Sequence, residues 1–256
     1  MKDQYFGDIN DYRKYGLLRA LIHAGQFRLL VAWMLTPDDG SSDGKLISYL
    51  KHPGKWSGYD PDLFQTIKSL LDSGRTRSVK LIEKAGVLPN TKYFTPYVPD
   101  KASDRLLWFE DLCRNAQGCD FVFLDPDNGL EVKSKPYGRK GSSKYLYWNE
   151  VKTLWNSGKS LLIYQHFIRE NRQNFIQRML KALKLATPGS SVGAFLTPHV
   201  VFLIALQPNH KKHYKAIVRL LKEKWEDSIS SSAHRILSTA RHPHSGSQDI
   251  RSVLPN

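Results

Sequence analysis

Between positions 125 and 131 the chain sets three carboxylates in seven residues, Asp125-Pro126-Asp127-Asn128-Gly129-Leu130-Glu131. A carboxylate at a strand end can accept the hydrogens of an amine and take a proton, and several together supply the hard oxygen ligands that Mg²⁺ prefers. The preceding Phe121-Val122-Phe123-Leu124 is a continuous apolar run of β-formers, as expected of a strand buried on both faces. Pro126 and Gly129 end it in a turn. Ligands of open α/β sheets bind outside the carboxyl ends of the strands. The spacing therefore predicts a catalytic site at Asp125, Pro126 and Asp127, although an ordinary polar turn has the same composition. A second apolar run, Ser160-Leu161-Leu162-Ile163-Tyr164-Gln165, stops at His166. The two strand ends should be neighbours in a parallel sheet, which makes His166 a candidate base beside Asp125.

Two further stretches bear on binding. The apolar run 27–35 feeds Thr36-Pro37-Asp38-Asp39-Gly40-Ser41-Ser42-Asp43-Gly44. In nucleotide-binding α/β folds the loop after the first strand brings cofactor against backbone, where glycine is needed. No G-x-G-x-x-G stands here, and a surface turn accounts for the loop equally well. The stretch 133–148 carries Lys133, Lys135, Arg139, Lys140 and Lys144 among glycine and serine, then Tyr145, Tyr147 and Trp148. Basic residues on a flexible loop beside aromatics suit phosphate neutralisation with base stacking; a merely solvated loop is the alternative.

Composition points the same way. The 256 residues carry a net charge of +14, which favours polyanionic partners, nucleic acid first and an anionic membrane surface second. Cys113 and Cys119 are the only cysteines, too few for a disulfide framework or a cysteine-rich metal site. No secretory leader and no apolar run of membrane-spanning length is visible, so a soluble, cytoplasmic protein is expected.

The elements that must position these residues alternate. Helices are expected from Asp8 to Gly25 (basic outside, apolar inside) and over 62–71, 100–116, 150–156, 169–185 and 210–225. Strands are expected over 27–35, 92–98, 121–124, 160–165, 193–196 and 200–206, the last two as a hairpin-like pair. The run 77–86 reads as strand or helix. This pattern predicts an α/β, Rossmann-like fold: a mostly parallel central sheet with helices on both faces and an antiparallel C-terminal pair. One domain spans 1–227, and 228–256 reads as a polar, partly mobile tail.

In this order the elements resemble the class I S-adenosylmethionine-dependent methyltransferases, and among them the bacterial large-subunit rRNA adenine-N6 methyltransferases. The likeness rests on the opening Gly7-Asp8-Ile9-Asn10-Asp11-Tyr12-Arg13-Lys14-Tyr15, the strand and loop 32–44, and Leu124-Asp125-Pro126-Asp127-Asn128 where that family has Asp-Pro-Pro-aromatic. The resemblance implies a nucleic-acid methyltransferase. Its cofactor, S-adenosylmethionine, would lie at Thr36, Asp38, Asp39, Gly40 and Glu83, with Asp125 orienting the acceptor nitrogen. Here Asp127 replaces the second proline and Asn128 the aromatic, so stacking would have to come from Tyr145 or Tyr147. Two alternatives stay open. One is a Mg²⁺-dependent nuclease or phosphohydrolase using Asp125, Asp127 and Glu131. The other is a non-catalytic nucleic-acid-binding module on a degenerate methyltransferase fold.

Overall fold

The computed structural model describes residues 1–38, 40 and 44–233. Its strands are β1 (Leu29–Ala32), β2 (Thr91–Phe94), β3 (Phe121–Leu124), β4 (Gly129–Leu130), β5 (Tyr145–Leu146), β6 (Ser160–His166), β7 (Ser191–Leu196), β8 (Val200–Leu206) and β9 (Ser230–Ala233). Its α-helices are α1 (Ile9–Gly25), α2 (Pro53–Trp56), α3 (Pro61–Asp72), α4 (Val79–Lys84), α5 (Ala102–Asn115), α6 (Trp148–Asn156), α7 (Arg172–Ala186) and α8 (Tyr214–Trp225).

Seven strands form one sheet in the order β2-β1-β3-β6-β8-β7-β9. β2, β1, β3 and β6 run parallel, while β8, β7 and β9 follow as antiparallel neighbours. This is the expected α/β fold with its C-terminal antiparallel pair. The central strands read as unbroken apolar runs because both faces are covered. Alternate residues divide between two cores: Leu29, Val31, Phe121 and Phe123 pack with α1, α3 and α8, whereas Leu30, Ala32, Val122 and Leu124 pack with α5, α6 and α7.

From β1 the chain goes to β2 on one side, and β3 then takes the other side of β1, so the order reverses between β1 and β3. Ligands of such sheets bind outside the strand ends at this reversal. The register sets Ala32 beside Leu124 and Leu124 beside Ile163. The residues after Ala32, Asp125 and the end of β6 therefore share one edge, as the sequence implied for Asp125 and His166.

Three local expectations change, and one open reading is settled. The first strand pairs over only four residues, because Met34 adopts φ 46° and turns the chain out of the ladder. The ambiguous run 77–86 contains a helix, since Ser78 caps α4 by accepting from the Lys80 N–H. Ser230–Ala233, read as tail, pairs with β7 as an edge strand; that pairing is made by backbone, so serines carry no signal for it. Finally, α1 is not basic outside. Arg13 and Lys14 are as buried as its leucines, because α8 and the sheet cover faces that a surface helix would show to water.

Candidate functional site

The first turns of α1, the Asp125 turn and the end of β6 line an open cavity of about 470 Å³. Asp8, Asn10, Asp11, Lys14, Asp125, Asp127, Tyr164, His166 and Phe167 are on its walls, with Met1 at one side. Asp8 caps α1, accepting from the N–H groups of Asn10 at 2.8 Å and Asp11 at 2.9 Å. One turn on, the Lys14 Nζ donates to Asp11 Oδ1 at 2.8 Å and to Asp125 Oδ2 at 2.7 Å. Asp11 is held in turn by the Gly7 N–H at 3.0 Å and the Tyr15 hydroxyl at 3.1 Å. This ties α1 to the end of β3 through one lysine.

Burial opposes the charge on Lys14, but the paired Asp11 and Asp125 hold its ammonium above the ordinary lysine value, so it stays charged. Burial pushes the Asp125 carboxyl up, and Lys14 pulls it back. Asp8 is pushed up to about 6, first by burial and then by the neighbouring charge of Asp11. Burial lowers His166, against the pull of Asp127, which favours neutral imidazole.

Asp127 is the most exposed to cations. The Met1 nitrogen stands 3.8 Å from its Oδ1, and the Nζ atoms of Lys2 and Lys144 each stand 3.8 Å from its Oδ2. Among the described residues its buried Oδ1 has no hydrogen-bond donor, and neither has the buried Oδ1 of Asn10 on the same cavity wall. Two acceptors are thus left for a ligand's N–H or O–H groups. Gly129 keeps the turn close to β6: its φ of 106° would strain any other residue, and an added Cβ would displace the Gln165 amide, which it would meet at 2.5 Å. Gln165 Oε1 accepts the next N–H, that of Leu130, at 2.7 Å.

The structure brings Asp125, Pro126, Asp127 and His166 together on this cavity. The described residues assigned to cofactor are not among those lining this cavity. The Thr36 N–H donates to the Met1 carbonyl at 2.9 Å, and Asp38 accepts from the Gln4 N–H at 3.3 Å. At Gly40, φ 69°, an added Cβ would meet nothing within 4 Å among the described residues, and Asp39 lies outside the described residues. Glu83 is on α4, where it accepts from Trp33 Nε1 at 2.7 Å, and does not line the cavity.

The basic stretch is pinned, in contrast to the flexible loop expected. Asp100 accepts from the N–H groups of Gly141 at 2.8 Å and Ser143 at 2.7 Å. Lys133, Lys135, Arg139 and Lys140 are exposed, and Lys144 reaches Asp127. Tyr145 is half-buried; Tyr147 is buried, its hydroxyl bonded to the Lys135 carbonyl at 2.8 Å and its ring against Tyr137 and Arg105. The aromatic side chains lining the cavity are instead Tyr5, Tyr164, His166 and Phe167. Glu131 turns away to cap α6, accepting from the Trp148 N–H at 3.1 Å. Among the described residues no group of three or more His, Cys, Asp or Glu side chains is placed to hold a metal ion.

Sequence reasoning missed Asp11 and Lys14 as site residues, and Phe167 as an aromatic wall. Opposite charges at i and i+3 on a helix whose apolar residues run all the way round were the available signal: such a helix is buried, and its charges need partners elsewhere.

No family model matches the chain, and no curated protein matches it. Among solved structures it is similar to the crystal structure of protein LPL1258 from Legionella pneumophila, of the family DUF519, with 12% identity and a TM-score of 0.45 over 89% of this chain and 97% of that one.

Proposed function

We propose that the protein is a nucleic-acid methyltransferase in which Asp125 orients the acceptor nitrogen and S-adenosylmethionine is the methyl donor. The observation that carries this reading is Asp125, a carboxylate at the carboxyl end of a central parallel strand and on the wall of the cavity. Its pairing with Lys14 keeps it available as an acceptor for an amine N–H. Tyr164, His166 and Phe167 offer rings against which a base extruded from its stack can lie. The pinned basic stretch reaches the same wall through Lys144, so phosphates held there would lead a strand toward Asp125. Methyl transfer asks chiefly for nucleophile and sulfonium in line, which explains why few groups need titrate.

In the loop after β1 the Thr36 N–H and the Asp38 carboxylate already have partners in Met1 and Gln4, so a cofactor lying there would exchange those bonds for its own. The metal-dependent alternative has less behind it, because Asp125, Asp127 and Glu131 serve three separate partners.

Calorimetric titration of S-adenosylmethionine and its demethylated product, with a thermal melt, tests the reading. Ligand at 100 times its dissociation constant should add about 2.7 kcal/mol of stability. Asp125→Asn should retain that binding while transfer of labelled methyl to RNA or DNA falls at least a hundredfold. No binding at millimolar ligand would overturn the proposal. Nucleic-acid cleavage lost in chelator would point to the metal enzyme instead.

A further inference from the structure

The sheet edge that carries Asp125 continues past the first cavity. β6 ends beside the start of β8, with His166 opposite Val200, and β9 begins beside the end of β7, with Leu196 opposite Ser230. From β6 to β9 is three strand spacings, about 14 Å. A second cavity, of about 270 Å³, opens in this interval. Phe167, Arg172, Thr197, Glu226, Asp227 and Ser228 are among its walls, and Phe167 also lines the cavity at Asp125. One ring therefore stands between the two.

The second cavity joins a stacking platform to a pair of acceptors. The Arg172 guanidinium lies over the Phe167 ring, 4.7 Å from its centre, and its Nη2 donates to the Pro198 carbonyl at 2.7 Å. Phe175 meets the same ring edge-on at 5.9 Å. Ring and guanidinium are thus fixed as planar surfaces of the kind on which a base stacks. Glu226 and Asp227 are exposed, and among the described residues neither carboxylate is held by a hydrogen bond or an ion pair. They follow the last turn of α8, where the helix dipole disfavours negative charge. Their placement does not serve the helix, but it matches a ligand rich in N–H groups, because a carboxylate only accepts. Guanine offers a carboxylate two N–H donors side by side; adenine and cytosine offer an amino group. Uracil and thymine offer one N–H flanked by two carbonyl oxygens that repel it.

We propose that the second cavity is a subsite for a nucleotide flanking the methylated one, whose base stacks on Phe167 and Arg172 and is selected for its amino edge, guanine above all, by Glu226 and Asp227. This rests on the nucleic-acid methyltransferase reading and adds to it a sequence preference outside the acceptor base. The strand must be single or opened here, since a duplex keeps its bases in their own stack. The two carboxylates also oppose the general attraction of a basic chain for phosphate, so they lower affinity for every strand while sharpening the choice among them.

The test uses the full chain and fluorescein-labelled single strands of about ten nucleotides, all uridine as RNA or all thymidine as DNA, or carrying one central guanine, adenine or cytosine. Affinity is read by fluorescence anisotropy at low salt. The strand with guanine should bind at least about tenfold more tightly than the uniform strand, with adenine and cytosine between them. Glu226→Ala/Asp227→Ala, which alters two exposed side chains, should erase that difference and bind the uniform strand more tightly than the native chain does. Arg172→Ala should weaken every strand; binding unchanged by it would overturn the stacking platform. A guanine preference kept by the double variant and lost in Asp125→Asn would put the selected base in the first cavity and overturn the subsite. Equal binding of all strands by the native chain would overturn it as well, while S-adenosylmethionine binding, measured separately, would leave the methyltransferase reading standing. A native chain that bound no strand would overturn both proposals together.

Discussion

Arg105–Glu150 and Lys14–Asp125 are both buried ion pairs, the four side chains being at most 3% exposed, yet they differ in what is left over. Arg105 engages every nitrogen of its fork, through four of its five N–H groups. Nε and Nη2 donate to Glu150 at 2.8 and 2.9 Å, Nη1 to the Ser142 carbonyl at 3.2 Å, and Nη2 also to the Tyr145 carbonyl at 2.7 Å. Glu150 also accepts the Tyr147 N–H at 3.0 Å. Every strong group has a partner, and the product is a fixed loop. Around Lys14 one ammonium faces two carboxylates, Asp8 resists ionising close by, and buried oxygens of Asn10 and Asp127 lack donors among the described residues. A saturated buried network specifies structure; an unsaturated one beside a cavity is poised for something to arrive.

Double-mutant cycles should separate the two. Arg105→Met removes four hydrogen bonds and should cost about 3–5 kcal/mol in a denaturant melt. Arg105→Met/Glu150→Leu should recover little, since the carbonyls of Ser142 and Tyr145 and the N–H of Tyr147 remain unpaired. Lys14→Met should cost about 2–4 kcal/mol by leaving two carboxylates without their cation. Here Lys14→Met/Asp125→Asn should recover at least half, because Asp11 keeps its bonds from Gly7 and Tyr15. Equal recovery in both cycles would erase the distinction.

What the sequence disclosed follows from the same physics. The four-residue apolar runs and their punctuation identify the parallel strands, since a strand buried on both faces leaves no other reading of Phe121-Val122-Phe123-Leu124. The pairing of the Asp125 and His166 strand ends follows from that. Lys14 was illegible because its partners are distant in sequence: Asp125 lies 111 residues away, and only the folded chain brings α1 across the end of β3. The stiffness of the basic stretch was hidden likewise, as it is held by Asp100 from across a 41-residue separation. Ser230–Ala233 could not announce a strand, because its pairing partner is the backbone of β7.

A smaller effect sharpens the comparison on the unsaturated side. With its carboxyl raised to about 6, folded Asp8 keeps its proton to higher pH than the unfolded chain does. Between pH 4 and 6 the folded state therefore binds more protons, and stability falls as pH rises through that window, with the full penalty present above it. Asp8→Asn preserves an acceptor for the helix cap and removes the titration. The variant should match the native chain near pH 4 and exceed it by on the order of 2 kcal/mol at pH 7.5. A difference independent of pH would show that the excess negative charge around Lys14 is neutralised otherwise.

The smallest effect on stability belongs to the exposed lysines. Lys133→Ala, Lys135→Ala and Lys140→Ala should each change stability by less than about 0.5 kcal/mol, since these side chains are exposed and the loop is held by Asp100 and Arg105 instead. Their effect should appear in binding. If the pinned stretch carries phosphates, each loss should lower the slope of log affinity against log salt by about 0.7–0.9 for single- or double-stranded nucleic acid, measured by fluorescence anisotropy. Lys144→Ala should behave differently, because Lys144 also balances Asp127: its loss should weaken binding and also raise the demand of Asp127 for another cation. A slope unchanged by all four substitutions would mean that the stretch stabilised by the saturated Arg105 network does not serve the unsaturated site next to it.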